Sequence, residues 1–339
     1  MSRTHTTLTR PDVALIMRQV LYALLPGTAL LFYLYGFGLL SNLILACLSA
    51  WGLEALMLHL RRRPLRPFLQ DYSVIVTGWL LAVSLPAYAP WWLILIAMSF
   101  AVVIGKHLYG GLGQNPFNPA MLGYAAVLVS FPLEMTRWPD PAQSGLMTAD
   151  FSTLLASVFG IGTAHWDSFS GATPLDQARM ALHGGKSLMD TGISLFSWPQ
   201  TLSWNLLNLA WLGGGLWLLW QRIISWHIPA ALLGSLTLVA GLFWLLDPNH
   251  YATPWFHLLQ GATMLGAFFI ATDPVSASTT PVGKILYAGG IGCFVYIIRT
   301  WGGYPDAMAS AVLIMNMAVP LLDYYTQPRV YGHRRRWLP

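Results

Sequence analysis

Charge is scarce in this 339-residue chain: Asp, Glu, Lys and Arg together make up 9% of it, against about 25% in soluble domains. So few charges cannot cover the surface of a soluble body of this size. Cysteine is scarcer still. Cys47 and Cys293 are the two present, far apart and inside apolar runs. That excludes a disulfide scaffold and a zinc or iron–sulfur centre held by this chain's cysteines alone. No Gly-x-Gly-x-x-Gly follows a strand pattern, and no complete Gly-x-x-x-x-Gly-Lys-Ser/Thr loop occurs. Oxidation of a nicotinamide and ATP-driven transport are therefore not expected of this chain. The low hydrophobicity that disorder requires is absent as well.

What is present is apolar bulk. Hydrophobic residues make up 55%, with 16 Trp, 14 Tyr and 15 Phe, and the mean hydropathy is +0.55. This is the composition of an all-α polytopic membrane protein. A span needs roughly 20 apolar residues, fewer where a helix is broken or buried in protein. On that basis about ten segments are expected: Val20–Leu40, Asn42–Leu60, Ser73–Leu85, Trp91–Ile104, Ala120–Leu133, Leu202–Trp220, Ile228–Leu246, Trp255–Ala271, Val282–Ile298 and Ala307–Leu322. The organisation read from them is an N-terminal arm (1–19), a first membrane repeat (20–133), a polar loop (134–200), a second membrane repeat (201–323) and a basic tail (324–339). Met1–Arg18 carries Arg3, Arg10 and Arg18 without a cleavage pattern, so no signal peptide is expected.

The formal charge of +5 is a topology signal and does not point to nucleic acid. With ten spans and the N-terminus inside, 14 of the 18 Lys/Arg fall on the cytoplasmic side; Arg137, Arg179, Lys186 and Arg299 do not. The loop from Glu134 to Gln200 then lies outside, with three Lys/Arg against six Asp/Glu. Both termini are expected in the cytoplasm, in a bacterial inner membrane. A weak internal repeat reinforces this plan. Leu85-Pro86, Gly105-Lys106 and Asn118-Pro119-Ala120-Met121 are echoed by Asp273-Pro274, Ile298-Arg299 and Pro305-Asp306-Ala307-Met308. Five spans separate the copies, an odd number, so they face opposite ways in a 5+5 inverted repeat with broken helices.

The most informative stretch is Asp167-Ser168-Phe169-Ser170-Gly171-Ala172-Thr173-Pro174-Leu175-Asp176. Local physics reads it as a helix start, with Thr173 as N-cap, Pro174 as first helical residue and Asp176 completing a capping box. A functional reading is compatible with that. A hydroxyl beside unpaired helix amides suits a phosphoryl ester. Gly171 and Ala172 leave room for a planar group, Trp166 and Phe169 stand ready to flank it, and Asp167 suits orientation of a divalent metal during transfer.

Asp-x-x-Ser-Gly-Ala-Thr resembles the flavinylation motif recognised by the periplasmic flavin transferase. The wider setting is similar to the family of Rnf (Rsx) complex D subunits and the related B subunits of the sodium-pumping NADH:quinone reductase. The likeness extends to Gly111–Met121, Ala271–Ser278 and Gly303–Met308, in the same order. The resemblance implies covalent FMN on Thr173, with Asp167, Ser170, Gly171 and Ala172 as the motif around it. It also implies a second, non-covalent flavin (riboflavin) within the spans, whose ligands it does not assign. The implied activity is electron transfer between flavin and iron–sulfur centres coupled to Na+ or H+ movement. The implied partners are iron–sulfur and FMN-bearing subunits, the flavin transferase during maturation, and membrane lipid. No catalytic residue and no resident metal are expected.

Other polar residues carry two readings each. Glu54, in mid-span, suits an ion path or a structural hydrogen bond. Asp273 and Asp306 at helix breaks are read first as caps, with a cation site or flavin pocket as the competing roles. His107, His165, His183 and His250 have no ligand-like spacing and read as interfacial. A small-solute channel of inverted-repeat type is the alternative function, in which the Thr173 motif is only a cap.

Overall fold

The computed structural model describes residues 13–111, 113–140, 156–161, 170–184, 200–303 and 307–327. Within them the apolar segments fold as helices. They are α1 (Val13–Tyr35), α2 (Phe37–Leu60), α3 (Ser73–Ser84), α4 (Trp91–Ser99), α5 (Pro119–Ser130), α6 (Pro174–His183), α7 (Gln200–Trp220), α8 (His227–Leu246), α9 (Pro281–Trp301) and α10 (Met308–Thr326). Among the described residues no strand forms, only an isolated antiparallel bridge between Pro139 and Ser170. Helices α1, α2, α8, α9 and α10 are each long and apolar enough to cross a membrane, as an all-α, multi-pass membrane protein requires.

Several starts share one local device: a polar cap followed by proline. Asn118, Thr173, Thr253 and Thr280 each precede Pro, and each side chain accepts a backbone N–H from the first helical turn. Proline fits that first position because its missing donor would be unsatisfied anyway. Two expected segments end elsewhere. The turn between α1 and α2 falls at Gly36, whose φ of 57° favours glycine, and not between Leu40 and Asn42. The expected segment Trp255–Ala271 is broken into a short helix (Pro254–Leu259), a turn at Gln260–Ala262, and a second short helix (Thr263–Leu265) that continues π-helically to Ile270.

Helix α1 packs along α7, α2 against α3 and α4, and α8 along α9; α5 meets α10 across the two halves of the chain. The α1–α7 approach depends on Gly27, where any Cβ would overlap the indole of the buried Trp211. Chain direction sorts the charges: Arg18, Arg61–Arg66, Arg222 and Lys284 gather at one end of the bundle. The α1–α2 turn, the α6 segment and the start of α7 lie at the other.

Near the basic end a buried polar cluster corrects one expectation. His107 is no interfacial histidine; like Lys106 beside it, it is buried. Lys106 Nζ donates to Glu54 Oε1 at 2.8 Å, and His107 Nε2 lies 2.9 Å from Glu54 Oε2. Lys106 also donates to Ser73 Oγ at 3.2 Å. Helix α4 runs on π-helically from Phe100 to His107, which carries both residues inward to face Glu54 on α2. Glu54 is therefore a buried ion-pair partner, held as mid-span acids must be. Removing one member leaves the other charge buried with only part of its pairing (His107 for Glu54, Ser73 for Lys106), a cost of up to about 3–5 kcal/mol. Glu54→Leu or Lys106→Met is expected to lower thermal stability in detergent by that order. The double variant should recover much of the loss, and additive losses in that cycle would show that the two charges are not coupled.

Candidate functional site

The Ser170–Thr173 segment reaches the bundle as an extended strip. Ser170 pairs with Pro139 in the antiparallel bridge, and Gly171 N donates to Trp138 O at 3.0 Å. Gly171 lies against Asp140, so closely that a Cβ would stand 3.0 Å from the Asp140 Cβ. Its lack of a side chain therefore serves this contact. Ala172 is exposed, and Gln177 Nε2 donates to its carbonyl at 3.0 Å.

Thr173 then starts α6. Its backbone is extended (φ −63°, ψ 158°), and Asp176 N donates to its Oγ1 at 3.3 Å. The hydroxyl itself donates to Asp176 Oδ2 at 2.7 Å. The expected helix start is thus observed. One detail differs from the usual capping box, where the acid turns back to the N-cap backbone amide; here the carboxylate accepts the side-chain proton. The inner face of α6 is Pro174, Leu175, Ala178 and Ala181, with Leu175 and Ala178 clustered on Phe256.

Thr173 and Asp176 border a partly open cavity whose walls come from both halves of the chain. Leu31 of α1, Ser84 of α3 and Tyr124 of α5 contribute from the first half; Trp204 and Trp211 of α7 and the turn Gly261–Leu265 contribute from the second. The lining is apolar and aromatic with a few polar groups, which is the usual make-up of a small-molecule site. Trp138, also in the wall, meets Trp204 edge to face at 5.5 Å and Tyr35 at 6.2 Å.

A second cavity lies toward the basic end, bordered by Lys106, Asn115, Asn118, Phe269, Thr272 and Asp273. Trp211 of the first cavity and Phe269 of the second meet edge to face, 6.0 Å apart. Asp273 accepts from Ser276 Oγ at 2.7 Å and from Val275 N at 3.4 Å. It caps the turn at 274–276 and does not start a half-helix.

The structure therefore brings Ser170, Gly171, Ala172 and Thr173 to one edge of an aromatic cavity. Asp167, Trp166, Phe169 and Asp306 lie outside the described residues. Residues that sequence reasoning missed are Trp138, Asp140, Trp204 and Trp211. They come from separate segments and carry no shared local signal; the two α7 tryptophans read only as ordinary apolar helix residues.

The sequence matches the family model described as NQR2, RnfD, RnfE over residues 1–332. It is 48% identical over 343 residues to the D subunit of the ion-translocating oxidoreductase complex of Vibrio atlanticus (strain LGP32), covering 97% of each chain. It is 47% identical over 336 residues to the protein of the same name from Salmonella typhi, covering 94% of each.

The contrast between Gly171 and Ala172 is testable. Gly171→Leu should cost about 1–3 kcal/mol of thermal stability by driving the strip off Asp140. Ala172→Leu, on an exposed position, should stay within about 0.5 kcal/mol. Equal effects in differential scanning fluorimetry would remove the special role assigned to the Gly171–Asp140 contact.

Proposed function

Because the chain belongs to the NQR2, RnfD, RnfE family, we propose that it is a membrane subunit of an ion-translocating oxidoreductase complex and carries FMN esterified to Thr173. The observation that carries the reading is the coincidence of Asp167-x-x-Ser170-Gly171-Ala172-Thr173 with a Thr173 that borders a cavity lined by Trp138, Trp204 and Trp211. A family motif and an aromatic cavity meet at one residue.

The residues present fit such a group. Thr173 Oγ1 would hold the phosphate, beside the amides of the first turn of α6, where a helix N-terminus favours negative charge. Trp138 and Trp204 give apolar, aromatic surface for a planar ring. Bound there, the isoalloxazine supplies reversible electron transfer. The chain's own part is to anchor the phosphate, shield the ring and keep it at one end of the bundle. The end bearing Thr173 is assigned to the outside, where a periplasmic flavin transferase can reach it. The basic end and both termini are assigned to the cytoplasm of a bacterial inner-membrane protein. Two halves that meet face to face at α1–α7 and α5–α10 support the 5+5 repeat. In this reading the basic-end cavity is the place for a second, non-covalent flavin (riboflavin). Iron–sulfur and FMN-bearing subunits are the electron-transfer partners in this reading, with Na+ or H+ as the coupled ion.

The test is in-gel flavin fluorescence on the full chain after co-expression with the transferase. Wild type is expected to show a fluorescent band after denaturation, with the mass increment of an FMN ester, and Thr173→Ala to lose both. A dark wild-type band, or a fluorescent Thr173→Ala band, would sink the proposal.

A further inference from the structure

A threonine hydroxyl is a weak nucleophile near neutral pH and is ordinarily activated by an adjacent base. Thr173 has one within the same helical turn. Its Oγ1 donates to Asp176 Oδ2 at 2.7 Å, within the range required of a general base and at the length of a charge-assisted O–H···O⁻ bond. The backbone N–H of Asp176 donates to the same Oγ1 at 3.3 Å. The proton and one lone pair of the oxygen are thereby assigned, and a lone pair is left for attack. Both residues border the aromatic cavity and both are half-buried, so the pair is accessible from it.

We propose that Asp176 is the general base for esterification of Thr173, so that the acceptor chain brings part of the catalytic machinery for its own modification. The inference rests on Thr173 being the attachment point. The donor must be a phosphoric anhydride, since forming the ester from a phosphate monoester would require expulsion of water. A flavin dinucleotide meets that need. Thr173 Oγ1 attacks the flavin-side phosphorus, the Oγ1–P bond forms, and the bridging P–O bond breaks. The nucleoside monophosphate leaves with the bonding electron pair. The hydroxyl proton passes to the Asp176 carboxylate and from there to water. No group is oxidised or reduced.

Capping alone makes a different forecast. Asp176→Asn keeps a side-chain oxygen that can accept from the hydroxyl, but it cannot take the proton. Full-length protein made without the transferase would be purified in detergent and mixed with transferase, a divalent cation and flavin adenine dinucleotide. Flavin incorporation is followed by in-gel fluorescence and intact mass between pH 6 and 9. Wild type is expected to load at a rate nearly independent of pH. Asp176→Asn should load about 100-fold more slowly at pH 6, with a deficit that narrows as pH rises and hydroxide replaces the missing base. Asp176→Glu, which keeps a carboxylate, should retain the flat profile even if its rate falls. Asp176→Asn loading at the wild-type rate, or Asp176→Glu showing the rising profile of Asn, would overturn the base role while Thr173 stood as the attachment point. A wild type that takes no flavin would overturn the attachment itself.

Discussion

A helix that stops inside a membrane protein leaves backbone groups that no water can reach, so other parts of the protein must take them. Asn118 does this for both halves of the chain. Its Oδ1 accepts from Met121 N at 3.1 Å and so starts α5; its Nδ2 donates to Ile270 O at 3.1 Å, at the end of the π-helical stretch 152 residues away. Asn208 holds the neighbouring break in the same way. Its Nδ2 donates to the carbonyls of Leu259 and Gly261, each at 2.9 Å, and its Oδ1 accepts from Met264 N at 3.1 Å. These buried amides are what allow broken helices to exist between the two cavities.

The candidate site is a consequence of those ties. Gly261–Leu265 forms a wall of the cavity beside Thr173 because the break at Gln260–Ala262 is pinned by Asn208 and by Arg299, whose Nη1 donates to His257 O at 2.8 Å. Helix α6 then docks on this region through Leu175 and Ala178, which sets Thr173 at the cavity edge. A frame tied in this way would suit the proposed flavin carrier: a ring held in one place would keep its distance to a partner constant, and an apolar surround would limit reorganisation of water.

The few acids in the interior and at the helix breaks follow a common logic. Glu54 is matched by Lys106 and His107, and Asp273 binds the hydroxyl and amides of its own turn. Asp323 accepts from Ser278 Oγ and from the backbone of Thr279 at 3.1 Å, closing the entry to α9. Each carboxylate has donors arranged around it, as desolvation demands. Asp176 belongs to this set in geometry and differs in what it faces: its partner is the Thr173 hydroxyl, the proposed attachment point.

The sequence by itself determined whatever depends on neighbours along the chain. Scarce charge and long apolar runs specified a multi-pass helical membrane protein. Asn118-Pro119, Thr173-Pro174 and Thr280-Pro281 specified helix starts, because a cap and its amide lie within three residues of each other. The motif around Thr173 was equally local. Only the tertiary structure decided the rest. It paired Lys106 and His107 with Glu54 across about fifty residues, gave Gly171 its close neighbour in Asp140, and assembled Trp138, Trp204 and Trp211 around one cavity. Burial and side-chain pairing are set by contacts between distant segments, and hydropathy along a single chain carries no record of which segments meet.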